Sequence, residues 1–212
     1  MLDGVSVKQL QRFPIYLKYL KSMRDAGVVT ITAPLIARAL DQSEEQVKKD
    51  LQVVTTSKGR PNTGRDINVL INDIEVFLGY HNISDAIIVG VGHLGEAFMN
   101  YKGFAEFSLN ILAGFDNDES KIGKVINGKQ VFPMAKLKNL VPRLNVSIAI
   151  LTTPASASQE VAELLIDAGI KGIWNFAPIN LKVNDDVVVE NVNLASSLAV
   201  LSHKLKKKFQ EE

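Results

Sequence analysis

A glycine-rich turn in the middle of the chain is the feature that most constrains the fold. The apolar, β-branched run Ile87-Ile88-Val89 leads directly into the segment Gly90-Val91-Gly92-His93-Leu94-Gly95, and helix-forming residues follow at once. A strand, a G-x-G-x-x-G turn and a helix in this order form the fingerprint of a dinucleotide-binding βαβ unit. Because the turn begins at residue 90, the sequence predicts a separate module in the first 80 residues.

The residues of this turn have distinct predicted tasks. Gly90 makes the tight turn, Gly92 lets the backbone approach a pyrophosphate, and Gly95 allows the helix to pack closely on the strand. The phosphates are expected at the helix N-terminus, beside His93 and Leu94, where free N–H groups and the helix dipole favour an anion.

An acidic residue follows at the spacing that a ribose-binding carboxylate requires. The apolar run of residues 110–115 ends at Asp116, about 20 residues after the glycine turn. A carboxylate at the end of this strand accepts hydrogen bonds from a ribose diol and repels a 2′-phosphate. The predicted cofactor is therefore NAD(H) and not NADP(H).

Predicted strands and helices alternate through the rest of the chain. They comprise a helix over 134–139, a strand over 146–151, a helix over 156–168, and strands over 172–176 and 187–190. This alternation predicts an α/β fold, a Rossmann-type doubly wound parallel sheet, in which ligands lie beyond the carboxyl ends of the strands. Two such ends are candidate walls of the cofactor site, although ordinary strand-to-helix turns would look the same: Thr152-Thr153-Pro154-Ala155 and Asn175-Phe176-Ala177-Pro178.

The first third of the chain has the outline of a winged helix-turn-helix domain. It comprises predicted helices over 6–26, 32–41, 43–54 and 67–80, a β-branched run over 28–31, and a basic, glycine-containing segment over 57–65. In this geometry the helix after the turn enters the major groove with its N-terminal residues foremost. The sequence thus predicts an α-helical DNA-binding domain in front of the sheet.

Candidate DNA contacts follow from this outline. Ser43 and Gln46 would face base edges, with Lys48 and Lys49 toward the backbone, and the basic segment adds Lys58 and Arg60. A plain helical cap with a solvated charged face would give the same pattern, so both interpretations stay open at this point.

Charge and composition narrow the class of protein. The net charge is only +1, but it is unevenly distributed. Residues 1–65 hold 11 basic and 6 acidic side chains, whereas residues 66–212 hold 13 basic and 17 acidic side chains. A basic first third is typical of a small DNA-binding module. The absence of cysteine excludes disulfides and thiolate zinc sites. No apolar run matches a membrane span or a signal peptide. We therefore expect a cytoplasmic protein with no bound metal.

An acid–base pair for catalysis is not evident in the sequence. The histidines are His81, His93 and His203, which fall in a predicted linker, in the glycine turn and in the terminal helix. Tyr101 has no lysine four residues on, where Ala105 stands instead. Because an oxidoreductase needs a positioned proton donor or acceptor, we expect a binding protein and not an enzyme.

The order of these parts resembles the redox-sensing transcriptional repressors of the Rex family. The resemblance covers nearly the whole chain and is carried by RFPIYLKYL at 12–20, VKKDL at 47–51, IVGVGHLGEAF at 88–98, FDNDESKIG at 115–123, TPA at 153–155 and GIKGIWNFAP at 169–178.

The resemblance implies a homodimeric repressor that binds operator DNA and NAD(H), and that leaves DNA when the NADH/NAD⁺ ratio rises. It implies domains at 1–80 (winged helix) and 81–192 (Rossmann), followed by a C-terminal dimerisation helix at 193–212 that is exchanged between subunits. Arg12 would then join the DNA contacts, and the cofactor contacts would extend to Asn117, Lys121 and Ile122.

Two positions depart from the family pattern. Members usually carry an aromatic-glycine stretch and a Gly-Lys-Arg-Gly wing after the recognition helix, whereas residues 52–62 here read QVVTTSKGRPN. Members also commonly place an acidic residue at the start of the exchanged helix, facing the tyrosine that corresponds to Tyr101. Here that position is Asn193, followed by Leu194, so the implied switch lacks its usual charge.

Two other classes of protein remain compatible with the sequence. One is an NAD-dependent oxidoreductase with a helical N-terminal extension. The other is a CoA- or nucleotide-binding module resembling the CoA-binding domain of acyl-CoA ligases. DNA binding that weakens with NADH distinguishes the repressor from both.

Overall fold

The computed structural model describes residues 4–55, 64–81 and 85–211. The chain divides into two compact units, Met1–Asn82 and Ile83–Glu212. Within the described ranges, no helix is both long and apolar enough to cross a membrane.

The first unit is mainly helical. Its two described strands pair antiparallel, with Thr30 opposite Asp66. Its elements are α1 (Val7–Leu10), α2 (Phe13–Asp25), β1 (Thr30–Ile31), α3 (Ala33–Ala39), α4 (Glu44–Val54), β2 (Arg65–Asp66) and α5 (Ile67–Phe77).

The predicted first helix is interrupted. Sequence periodicity indicated one helix over 6–26, but α1 ends at Leu10 and α2 begins at Phe13. Pro14 accounts for the break because it has no N–H to donate to the carbonyl of Leu10. Arg12 therefore lies at the N-cap of a new helix, between two elements.

Side-chain caps begin two of these helices. The Ser43 hydroxyl accepts a hydrogen bond from the backbone N–H of Gln46 at 3.2 Å, which confirms the predicted start of α4. Asp66 accepts from the N–H groups of Asn68 and Val69 at 2.9 and 3.1 Å and begins α5. Each cap satisfies N–H groups that have no partner within the helix.

One apolar core holds these helices together. Its fully buried side chains include Phe13 and Leu20 of α2, Ile36 of α3, Val47 of α4 and Ile74 of α5. Since α2, α4 and α5 each bury one stripe at helical spacing, the helix-turn-helix pair α3–α4 is supported from behind by α2 and α5.

The second unit alternates strands and helices, with two 3-10 turns at Lys102–Phe107 and Met134–Lys136. Its elements are β3 (Asp85–Val89), α6 (His93–Asn100), β4 (Asn110–Asp116), β5 (Val125–Ile126), β6 (Lys129–Pro133), α7 (Leu137–Leu144), β7 (Ile148–Leu151), α8 (Ala155–Asp167), β8 (Gly172–Asn175), β9 (Val188–Asn191) and α9 (Leu194–Glu211).

The described strands of this unit form one sheet in the order β5-β6-β4-β3-β7-β8-β9. All neighbours are parallel except the edge pair β5–β6. The strand order reverses at β3, since β4 and β6 lie on one side of it and β7, β8 and β9 on the other. This is the Rossmann-type doubly wound sheet that the sequence predicts.

Alternate residues of β3 enter different apolar clusters. Ile87 and Val89 pack with buried side chains of α7 and α8, whereas Ala86 and Ile88 pack with Met99 of α6. Helices therefore cover both faces of the sheet, and β3 lies at its centre.

The hairpin of β5 and β6 was not predicted. Its turn is Asn127-Gly128, and both residues have positive φ, 49° and 77°, as a type I′ turn requires. The Lys129 ammonium group donates to the carbonyl of Met99 at 2.9 Å, which ties the hairpin to the last turn of α6.

We expect Gly95→Ala to lower the free energy of unfolding by about 1–3 kcal/mol, the usual penalty for overpacking. A Cβ at residue 95 would overlap the carbonyl oxygen of Gly90 and force α6 away from β3. Gly92→Ala is the matched control, because a Cβ there meets nothing within 4 Å. Urea unfolding followed by the fluorescence of Trp174, the single tryptophan, measures both variants, and equal stability would contradict the packing argument.

Candidate dinucleotide site and DNA-binding surface

The glycine turn connects β3 to α6 under tight steric constraints. Gly90 has φ of +92°, and a Cβ there would lie 2.8 Å from the carbonyl oxygen of Thr152. The Thr152 hydroxyl donates to the carbonyl of Gly90 at 2.6 Å and fixes the turn to the end of β7. Open space at Gly92 leaves the backbone accessible where α6 begins, and free N–H groups at a helix start favour an anion.

A cleft of about 460 Å³ opens beside this turn. It lies at the carboxyl ends of β3, β4 and β7, where ligands bind in open α/β sheets. The sequence predicted most of its lining, but not Val89, Met134, Ala157 and Val161. The full lining is Val89, Gly90, Gly92, Asp116, Asn117, Lys121, Met134, Thr152, Thr153, Pro154, Ala157 and Val161.

The Asp116 carboxylate belongs both to the cleft and to the glycine turn. One oxygen accepts from the N–H of Val91 at 2.7 Å and lies 3.3 Å from the Lys121 ammonium nitrogen. The other accepts from the N–H of Asp118 at 2.8 Å. A carboxylate has about four acceptor positions, so these three bonds orient Asp116 and leave about one position for a hydroxyl of a diol.

The segment after Asp116 forms a charged turn. Lys121 lies between Asp116 and Asp118, at 3.3 and 3.6 Å. Hydrogen bonds from Ser120 hold the pKa of the Asp118 carboxyl below its usual value, with a smaller contribution from Lys121. Asn117 is exposed at the cleft, and Ile122 is half-buried outside its lining.

The wall after β7 continues into helix α8. The Thr153 and Ser158 hydroxyls are 2.9 Å apart, and the Ser158 hydroxyl also donates to the carbonyl of Pro154 at 2.8 Å. These bonds hold the first turn of α8 beside the cleft, which Ala157 and Val161 line.

The predicted wall after β8 has a different position. The Asn175 side chain is fully buried: its amide nitrogen donates to Ile179 and Asn191, and its oxygen accepts from the N–H of Ala177. Asn175 therefore shapes this turn from inside. Phe176 and Ala177 do not line the cleft at the glycine turn but a second cavity of about 600 Å³, together with Asn193.

The predicted switch residues lie on exposed surface. Tyr101 is 56% exposed, and its ring packs edge-on against Phe104 at 5.0 Å. Asn193 accepts from the N–H of Ser196 at 3.1 Å, so its side chain caps α9. Asparagine and aspartate are comparable N-caps, so this helix start is retained without the acidic charge. The side chain of Leu194 is outside the described part of the chain.

On α4, the two predicted lysine contacts are paired with acidic residues of the same helix. Lys48 lies 2.5 Å from Glu44, and Lys49 lies 2.8 Å from Glu45. The hydrogen bond with Glu45 raises the pKa of Lys49. All four side chains are solvent-exposed. Lys58 and Arg60 are outside the described residues.

The side chain of Arg12 is held by hydrogen bonds to other residues of the first unit. Its Nε and Nη2 donate to the two oxygens of Asp50 at 2.6 and 2.7 Å, and Nη1 donates to the carbonyl of Lys8. The Tyr16 hydroxyl donates to the same carboxylate at 2.8 Å. Sequence analysis missed Asp50 and Tyr16 as functional candidates. The sequence did indicate a buried charge, because Asp50 falls on the apolar stripe of the helix between Val47 and Leu51.

Family models match two separate parts of the chain. A model described as "CoA binding domain" matches residues 81–179, and one described as "Putative DNA-binding protein N-terminus" matches residues 4–52. The first covers most of the sheet, and the second covers the helices through most of α4.

Full-length relatives match almost the entire chain. The redox-sensing transcriptional repressor Rex of Treponema denticola is 40% identical over 192 residues, which are 91% of this chain and 91% of that protein. The crystal structure of RSP, a Rex-family repressor, in complex with beta-NAD+ and operator DNA has 32% identity and a TM-score of 0.88, covering 97% of this chain and 94% of RSP. RSP with beta-NADH has 31% identity and a TM-score of 0.83, covering 98% and 97%. The identity and coverage together assign this chain to the family of redox-sensing transcriptional repressors named Rex.

Proposed function

We propose that this chain is an NAD(H)-responsive DNA-binding repressor that is released from operator DNA when the reduced dinucleotide is bound. The observation that carries the proposal is the cleft lined by the G-x-G-x-x-G turn and by Asp116. The other unit of the same chain contains the helix-turn-helix pair α3–α4. The solved relative RSP, whose structures name NAD⁺, NADH and operator DNA, supports both ligands.

The residues of the cleft fit a dinucleotide. The open backbone at Gly92 and the start of α6 suit a pyrophosphate, Asp116 suits the adenosine ribose diol, and Met134 and Val161 supply apolar walls for the adenine ring. When bound, the dinucleotide supplies the redox signal, because its nicotinamide ring is cationic when oxidised and neutral when reduced. We place Phe176 and Ala177 near the nicotinamide half and give Asn175 an indirect, supporting role.

We infer binding without turnover. The ionisable side chains that line the cleft in the described residues are Asp116 and Lys121, and these are paired with one another. Hydride transfer to an organic substrate needs a proton donor or acceptor at the nicotinamide end, and neither residue is at that wall. The relatives named as repressors agree with this inference, and a protein whose partner is DNA is expected in the cytoplasm.

The C-terminal helix supports a homodimer. Leu198, Leu201, Leu205 and Phe209 of α9 are 47–67% exposed and recur on one face of the helix. An apolar stripe of this length needs a partner surface, and we assign it to a second copy of the chain, as in the family. A symmetric dimer would present two α4 helices to two half-sites of one duplex.

Redox control requires that the two dimer states differ in their affinity for the oxidised and reduced dinucleotide. Tyr101 and Asn193 are the proposed switch positions. Because Asn193 is neutral, we infer that the coupling here depends on hydrogen bonding and packing, and not on an acidic charge at the start of α9.

We expect Asp116→Ala to weaken NADH binding by at least about tenfold, since a hydrogen bond to a charged group contributes roughly 1.5–3 kcal/mol. Discrimination against NADPH should also fall, because the repelling carboxylate is lost. Calorimetric titration with NADH, NADPH and CoA measures both effects. Asp167→Asn is the control, an exposed aspartate paired with Lys138. Unchanged NADH affinity in Asp116→Ala, or tighter binding of CoA than of NADH by the wild type, would contradict the assignment.

We expect Leu201→Asp to convert the dimer into a monomer, because it places a charge in the apolar stripe of α9. His203→Asp adds an acidic residue to the opposite side of the same helix and should leave the dimer intact. Light scattering coupled to size exclusion gives the mass of each variant. A dimeric Leu201→Asp variant would refute the role of this face.

We expect the wild type to bind double-stranded DNA at low salt, with an affinity that falls as salt rises because phosphate contacts release counterions. A duplex enriched from a random library by the wild-type protein is the probe, and fluorescence anisotropy is the measurement. NADH should weaken this binding more than NAD⁺ does. Absence of binding at low salt would overturn the proposed function.

A further inference from the structure

A buried carboxylate lies where three helices of the first unit meet. Asp50 of α4 is 2% exposed, and both of its oxygens accept hydrogen bonds from Arg12, one of them also from Tyr16 of α2. The side chain of Arg12 is only 20% exposed. Its remaining donor group reaches the Lys8 carbonyl of α1 at 3.0 Å.

The network also reaches the surface of α4 that is expected to face DNA. With its amide oriented to satisfy its neighbours, the Gln46 oxygen accepts from Arg12 Nη1 and Nε at 2.9 and 2.8 Å. Asp50 follows Gln46 by one helical turn, so Arg12 contacts the same helix at two successive levels. The orientation of Gln46 is thus linked to the buried pair.

Arg12 and Tyr16 are held in their protonated forms at the Asp50 carboxylate. Burial and the hydrogen bond to Asp50 raise the pKa of Tyr16, so its hydroxyl remains a donor. The same carboxylate raises the pKa of Arg12. A buried ion pair is weak evidence for stability, because desolvation opposes the attraction, and its best-attested use is to select one arrangement among alternatives.

We propose that Asp50 is a positioning residue for DNA recognition: through Arg12 and Tyr16 it fixes the rotation and tilt of α4 against α1 and α2, so that Ser43 and Gln46 meet base edges together. This inference rests on the proposed function, since it assumes that α4 is the recognition helix. It also replaces the role of Arg12 as a DNA contact, which the family resemblance implies, by a role inside the protein.

Loss of the Asp50 carboxylate is expected to change DNA affinity in opposite directions depending on whether charge or helix position dominates. Removing a carboxylate from a DNA-facing helix should strengthen DNA binding if only charge matters, because repulsion of the phosphates is reduced. Loss of the positioning contact should weaken selective binding instead. Glu45→Gln is the matched comparison, because it removes one acidic charge from the exposed face of the same helix, where Glu45 contacts only Lys49 among the described ion pairs.

The test measures binding of the duplex enriched by the wild type and of a sheared random-sequence duplex, over a range of salt. We expect Asp50→Asn to bind the enriched duplex roughly tenfold more weakly, the scale of one lost base-pair contact, with the salt slope unchanged. Arg12→Gln should cause a similar loss. The double variant should be no weaker than either single variant, because both remove one interaction. Glu45→Gln should bind as tightly as the wild type or more tightly.

Tyr16→Phe keeps the test valid if Asp50→Asn unfolds the first unit. It removes one hydroxyl and retains the ring, and we expect a smaller loss for the enriched duplex with unchanged NADH affinity and unchanged far-UV circular dichroism. The positioning role would be overturned if folded Asp50→Asn or Tyr16→Phe variants bound the enriched duplex at least as tightly as the wild type. The proposed function as a DNA-binding repressor would be unaffected by that result. An Arg12→Gln variant whose salt slope falls by about one, the sign of a lost phosphate contact, would also overturn the positioning role. Failure of the wild type to bind any duplex would overturn the proposed function as well.

Discussion

The close approach of helix α6 to strand β3 is the constraint on which the second unit depends. Gly95 has no side chain to separate them, and Gly90 turns the chain at a φ that few other residues adopt. Because Thr152 and Asp116 both bond to this turn, from β7 and β4, the turn is clamped by the strands on either side of β3. The cleft, the free helix start and the carboxylate are therefore products of one packing arrangement.

The surface of α4 carries less net positive charge than its two lysines would give by themselves. Its exposed lysines are each paired with a glutamate one turn earlier, and such exposed pairs contribute little to stability. Phosphate attraction from this helix is thereby reduced, so selective binding depends more on how the helix is oriented. This makes the buried contact between Asp50 and Arg12 a larger part of DNA recognition than it would be beside uncompensated lysines.

Much of the second unit could be predicted from the sequence, because its pattern is local. The apolar run before Gly90, the spacing to Asp116 and the alternation of strands and helices each constrain the sheet. The hairpin after β4 was missed because its strands are short, even though Asn127-Gly128 is a strong turn signal. The separation of the Phe176 wall from the glycine cleft could not be read from the sequence, because it depends on how the turn after β8 folds around the buried Asn175.

In the first unit, the starts of α3, α4 and α5 were predictable, whereas the start of α2 and the contacts between helices were not. Ser43 caps α4 through a hydrogen bond with Gln46, three positions away, whereas Arg12 and Asp50 are separated by 38 positions. An arginine near the N-terminus of a basic module resembles a phosphate contact until its partner is known. The aspartate on an apolar stripe was the available warning that some buried cation must pair with it.

In the function that we propose, DNA and the reduced dinucleotide compete through two states of one homodimer. Linkage requires the coupling to be reciprocal: the factor by which NADH weakens DNA binding must equal the factor by which DNA weakens NADH binding. The most direct test is a titration of NADH into the wild-type protein, alone and saturated with the enriched duplex. We expect weaker NADH binding in the presence of DNA, with a smaller change for NAD⁺. Equal NADH affinities with and without DNA would contradict this competition.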